Sequence, residues 1–160
     1  MLLLALACVG PLDDSASVDA SGLTSPDAWQ VVHFDDDPFD DRQDVHCEGF
    51  GIEGDVFEVL TVSCPYATFE QPAGYALPDG TTLRFDAWHL PLTALEAAEG
   101  HLAVRVGDEV AEVFVPIPSP AAAYTLTLTL AAPLDEGDPI YFHVHNHGNN
   151  SWYLGPETIL

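Results

Sequence analysis

This sequence predicts an all-β chain, an antiparallel sandwich or barrel with about eight or nine strands and one short helix at most. Three observations carry the expectation. Short apolar runs recur every ten or so residues from Trp29 onward. The breaks between them are built from Gly, Pro, Asp and Asn, the residues of tight turns. Within several runs the apolar residues alternate with polar ones at period two, the signature of a strand with one wet face.

The expected strands, in order, are Trp29–Phe34, Val56–Ser63, Tyr66–Glu70, Thr81–Leu90, His101–Val106, Val110–Ile117, Ala123–Ala131, Pro139–His145 and Ser151–Leu154. Breaks fall at Gly51–Asp55, Pro72–Gly74, Pro78–Gly80, Gly107–Asp108, Pro116–Pro120, Asp135–Asp138 and Asn146–Asn150. The clearest alternation is in Ala123–Ala131, where Tyr124, Leu126, Leu128 and Leu130 share one face and Thr125, Thr127 and Thr129 the other. Leu92–Glu99 is the one helix candidate. Thr93 and Glu96 have capping-box spacing, although two turns are marginal in water.

Composition narrows the function classes. The 160 residues hold 26 Asp and Glu against three arginines (Arg42, Arg84, Arg105) and no lysine, a formal net charge of −23. Such a field repels phosphate backbones and anionic lipid surfaces, so nucleic acid is not an expected partner. Apolar residues make up 48%, enough for a core, so the chain is not a disordered acidic tail. Two of the three cysteines, Cys47 and Cys64, lie 17 residues apart and are expected to form a disulfide.

The N-terminus, Met-Leu-Leu-Leu-Ala-Leu-Ala-Cys, is an apolar run ending in a small residue and a cysteine. It resembles a bacterial lipoprotein export signal, although no Lys or Arg precedes the run and Ala5 stands where that family usually has Leu. The resemblance implies lipid attachment at Cys8. It places the protein on the periplasmic or outer side of the bacterial outer membrane, held there by its lipid alone. Residues 9–27, rich in Ser, Asp, Gly and Pro, then read as a tether, and 28–160 as a single sandwich domain.

Two clusters are candidates for function. The first is Tyr141-Phe142-His143-Val144-His145-Asn146-His147, three of the seven histidines at alternate positions. On a strand they share a face with Tyr141, while Ile140, Phe142 and Val144 point to the core. Imidazoles at that spacing are suited to Zn or Cu, with His89 or His46 as further ligands should their strands be adjacent. The plain alternative is a wet strand face followed by a turn at Asn146–Asn150, whose Asn and Gly residues tolerate positive φ.

The second cluster is Arg84, Asp86 and Trp88, alternating with the core residues Leu83, Phe85 and Ala87. With Tyr141, Asn149 and Trp152 on the same surface, it has what a sugar site needs. Aromatic planes meet the C–H face of a pyranose and polar groups meet its hydroxyls. The alternative is that the tryptophans are core. Asp35–Asp37 with Asp40 and Asp41 offers oxygen ligands for Ca²⁺ but lacks the spacing of a calcium loop, and a solvated loop is the simpler reading. No nucleophile elbow, phosphate loop, dinucleotide fingerprint or zinc-protease motif is present. Glu58, Glu70, Asp86 and Glu112 supply carboxylates without singling out a pair, so catalysis is the weaker reading.

From Phe57 to Leu154 the strand layout resembles the jelly-roll sandwiches of carbohydrate-binding modules. The stretch His143–Trp152, with Trp88-His89 and Pro116–Pro118, is similar to uncharacterised lipoproteins of predatory, social proteobacteria. These resemblances imply non-catalytic binding of a glycan or an envelope protein. A metal-binding domain and a structural envelope protein without a specific ligand remain the competing expectations.

Overall fold

A computed structural model describes residues 22–39, 44, 46–145 and 149–160. Ten strands follow one another: β1 (Gln30–Val31), β2 (Phe50–Glu53), β3 (Val56–Leu60), β4 (Tyr66–Pro72), β5 (Thr82–His89), β6 (Ala98–Val106), β7 (Glu109–Ile117), β8 (Ala122–Thr129), β9 (Pro139–His145) and β10 (Ser151–Ile159). They form two five-stranded sheets, a front sheet ordered β1-β4-β9-β6-β7 and a back sheet ordered β2-β3-β10-β5-β8. All neighbours are antiparallel.

The pairings are nested. β6 pairs with β7, β5 with β8, β4 with β9 and β3 with β10. That is one long hairpin rolled into a sandwich, the connectivity of a jelly roll, with β1 and β2 added at the edges. The expected fold class is therefore the observed one.

The core lies between the sheets. Front-sheet residues Phe69, Leu102, Val104, Val115, Ile140, Phe142 and Val144 meet back-sheet residues Phe57, Val59, Leu83, Phe85, Leu126, Leu128 and Trp152. Phe57 packs edge-to-face on Phe69 at 4.9 Å and on Phe142 at 6.1 Å, geometries that aromatic quadrupoles favour. Cys47 and Cys64 are bonded, tying the chain before β2 to the turn after β3.

The structure corrects four expectations of local structure. Leu92–Glu99 is not a helix: Leu92 and Thr93 make extended bridges to Ser119 and Asn149, and Ala98 already begins β6. Those backbone bonds replace a two-turn helix that had little stability of its own. Gly51–Glu53, read as part of a break, belongs to the edge strand β2, paired to β3. β10 runs five residues beyond Leu154, passing Gly155 and Pro156 where the register to β5 shifts, as a bulge allows. Residues 22–27, read as the end of a tether, pack on the sandwich: Leu23 is 1% exposed and Thr24 donates to the buried Glu157 through its amide and its hydroxyl. Cys8 and His147 lie outside the described residues. Among the described residues no helix is long and apolar enough to cross a membrane.

Candidate functional site

Strand parity and sheet membership place the candidate residues on two opposite outer faces. Tyr141, His143 and His145 project from the front sheet, while Arg84, Asp86 and Trp88 project from the back sheet. A single surface carrying Trp88 together with Tyr141, His143 and His145 does not exist, because β5 and β9 belong to different sheets.

On the front sheet, register builds rows across four strands. Tyr66, His145, His101 and Phe114 form one row, Thr68, His143, Ala103 and Glu112 the next, and Glu70, Tyr141, Arg105 and Val110 a third. The chain from His33 to Phe39 crosses this face, making one 3-10 turn at Phe34–Asp36. Asp37 turns inward and accepts from Tyr66 Oη, Thr68 Oγ1 and the Phe39 amide, at 2.8, 2.8 and 2.9 Å. Phe39 stacks on His143 at 4.4 Å. His143, expected on a wet face, is thereby fully buried, its Nδ1 2.8 Å from Thr68 Oγ1.

Beside this covered part the face opens into a cleft of about 550 Å³ lined by Pro38, Phe39, His101, Arg105, Val110, Glu112 and Phe114. His101 lies flat against Phe114, with centroids 4.3 Å apart and planes 8° from parallel, and its Nε2 is 2.9 Å from Glu112 Oε2. Phe114 remains 52% exposed despite that stack. Arg105 donates to the carbonyls of Gly107 and Pro38, which hold its guanidinium at the cleft wall. Tyr141 is half-buried beside it. Burial, with the negative charges of Glu70 and Asp37, raises its phenol pKa above the ordinary value against the pull of Arg105.

Sequence reasoning missed His101, Arg105, Glu112 and Phe114 as a group. The signal was present: a two-residue turn at Gly107-Asp108, with Gly107 at φ +60°, fixes Val106 opposite Glu109 and so His101 opposite Phe114.

Of the expected metal ligands, His89 is separated from His143 and His145, because β5 and β9 lie in different sheets. His89 sits in the back sheet, its ring nitrogens 3.0 Å from Tyr124 Oη and 2.7 Å from the Leu90 carbonyl. His46 pairs with Glu48 on the surface at 2.7 Å. Among the described residues no group of three His, Cys, Asp or Glu side chains is placed to hold a metal ion. Asp37, the described buried member of the acidic run, is committed to three protein donors, and Asp40 and Asp41 lie outside the described residues.

On the back sheet, Arg84 forms a forked ion pair with Asp86, three N–H···O contacts of 2.8–3.1 Å, and Thr125 adds a 2.8 Å hydrogen bond to the same carboxylate. Burial works against ionisation of Asp86. The hydrogen bonds from Thr125 and Arg84 and the Arg84 charge outweigh it and hold the carboxyl below its ordinary range. Trp88 is half-buried and nearly parallel to Tyr153, at 5.3 Å and 11°. Trp152 is fully buried between the sheets and is core, not a ligand contact. Asn149 is exposed and its backbone bridges Thr93. Of the carboxylates, Glu58 is engaged by Tyr153, Asp86 by Arg84 and Glu112 by His101.

No known family model matches the chain, and no curated protein matches it by sequence. By shape it is similar to solved carbohydrate-binding modules. A structure described as "CBM4 structure and function" is 15% identical, covers 90% of this chain and 91% of its own, and has a TM-score of 0.45. A mutant of the family 29 module CBM29-2 is 17% identical over 72% of this chain and 77% of its own, with a TM-score of 0.43. Likeness at this level transfers neither a ligand nor a ligand-binding residue.

Proposed function

We propose that this protein is a non-catalytic carbohydrate-binding β-sandwich, exported and lipid-anchored through Cys8, whose front-sheet cleft takes a saccharide. One observation carries the binding reading: Phe114, a large aromatic ring, stays half exposed while His101 holds it in a fixed plane. A ring presented in this way offers a surface for the C–H face of a pyranose. Glu112 and the guanidinium of Arg105 line the same cleft as hydroxyl partners. The backbone carbonyls on Arg105 and the imidazole on Glu112 fix both groups in advance, which lowers the ordering cost of binding. Export is supported by the Cys47–Cys64 disulfide, since such bonds persist in oxidising compartments.

The test is calorimetric titration of the protein with neutral hexasaccharides of glucose, mannose and xylose, beside Phe114→Ala and Glu112→Gln. Binding of at least one sugar, weakened roughly tenfold by loss of the Phe114 ring, is the expected result. Absence of binding to every sugar, or binding indifferent to both substitutions, overturns the assignment.

A further inference from the structure

We infer that the back sheet carries a second, separate saccharide surface centred on Trp88, so that one molecule engages two neutral glycan chains, one on each face. The ligand class rests on the reading of the domain as sugar-binding, but the surface itself is independent of the front cleft.

Trp88 has no core role. Its neighbours in β5, Leu83, Phe85, Ala87 and His89, face inward, and Trp88 stands on the outer face with Arg84 and Asp86. The other two tryptophans are buried, Trp29 at 6% and Trp152 at 0% exposure. A tryptophan left partly in solvent on a strand whose other wet residues are small or charged needs a reason. Its surroundings are fixed. Tyr153, directly across on β10, stacks against the indole and is itself anchored by a 3.2 Å hydrogen bond to Glu58. Gly155 lies under the indole edge, where a Cβ would come within 3.4 Å of Cζ3 and 3.2 Å of the Asp86 carbonyl. Any larger residue there would tighten that contact.

Two positions along β5, about 7 Å away, stands the Arg84–Asp86–Thr125 array. Its members satisfy one another on a surface where water would have done so, which leaves a rigid set of donors and acceptors at sugar distance from the ring. Arg84 is neutralised by Asp86, and the chain as a whole carries −23. That field disfavours uronic, sulfated or phosphorylated chains and leaves neutral ones. The arrangement thus matches an uncharged pyranose stacked on Trp88 with its hydroxyls toward Asp86, Arg84 and Thr125.

Because Trp29 and Trp152 are buried, Trp88 is the tryptophan that acrylamide quenches, and its fluorescence reports this face alone. The experiment uses the whole protein, the three neutral hexasaccharides named above, calorimetric stoichiometry and acrylamide quenching. The unmodified protein is expected to bind two hexasaccharides and to lose quenching when sugar is added. Trp88→Ala and Phe114→Ala should each keep one site at its original affinity and weaken the other roughly tenfold, and Phe114→Ala should keep the sugar-dependent protection of Trp88. Arg84→Ala, which leaves the ring in place, should weaken protection severalfold. A stoichiometry of one with quenching unchanged by sugar overturns the second surface and leaves the front cleft standing. Complete loss of binding in Phe114→Ala, with Trp88 no longer protected by sugar, does the same. No binding in any form overturns both readings.

Discussion

The hydroxyl of Thr68 stands midway between two buried groups, 2.8 Å from an Asp37 carboxylate oxygen and 2.8 Å from Nδ1 of His143. A hydroxyl has one proton. Given to Asp37, it leaves the Thr68 oxygen as an acceptor, so Nδ1 of His143 must carry the hydrogen. The three side chains form a directed chain that pins the 33–39 segment onto the front sheet. Thr68→Val keeps the shape and leaves Asp37 and His143 each one partner short in a buried place. Stability should fall by about 1–3 kcal/mol. Thr127→Val, on the exposed face of β8, should stay within about 0.5 kcal/mol. Urea midpoints of the two variants decide, and equal midpoints would refute the role given to Thr68.

The Cys47–Cys64 bond closes a 17-residue loop around the edge strand β2. In the chain-entropy model a loop of that size contributes about 3 kcal/mol. Reduction, or the paired change Cys47→Ala with Cys64→Ala, should lower the urea midpoint accordingly. β2 should show the greatest gain in amide exchange, since it is paired on one side alone.

Gly74 touches the Gly22 carbonyl so closely that a Cβ would overlap it, and its amide donates to the Leu23 carbonyl at 2.9 Å. Gly74→Ala should lift residues 22–25 off the sandwich, expose Leu23 and free Glu157 from Thr24. Limited proteolysis is the measurement. Faster cleavage between residues 22 and 28 is expected, with the remaining strands protected.

Tyr153 has its phenol pushed up to about 12 by burial, with the neighbouring carboxylates Glu53 and Glu58 adding to the shift. In the unfolded chain a tyrosine loses its proton near pH 10. Above that pH the unfolded state has released a proton that the folded state keeps, so the folded state binds more protons and stability falls with rising pH until about pH 12. Tyr153→Phe should flatten that decline. Absorbance titration should show one tyrosine ionising well after the others, missing in the variant.

How much of this was legible follows from which information is local. Alternation is local, so the inward faces of Ala122–Thr129, Thr82–His89 and Pro139–His145 could be read from residue order alone, and they hold in the structure. Sheet membership is not local. Nothing in the spacing of Trp88 and His143 says that β5 and β9 join opposite sheets, and that fact separates the aromatic and histidine clusters. Burial of His143 likewise depends on Phe39, a residue more than 100 positions away in a segment that read as a solvated acidic loop. β2 was hidden by composition: Gly49, Gly51 and Gly54 with Glu48, Glu53 and Asp55 look like a turn, and a partly exposed edge strand needs little apolar content. The hairpin β6–β7 was the reverse case, where turn and alternation together specified the His101–Phe114 pair.

The nested pairing has a further consequence for biosynthesis. β10, the last of the described strands along the chain, is the central strand of the back sheet, seated between β3 and β5. A chain emerging amino end first therefore holds β3, paired to β2 on one edge, with its other edge open for some ninety residues before β10 exists. Until then the place of Trp152 in the core is vacant, and the back sheet is two disconnected pieces. Contacts of such long sequence separation close slowly. This topology delays completion of the back sheet until Ser151–Ile159 has been made.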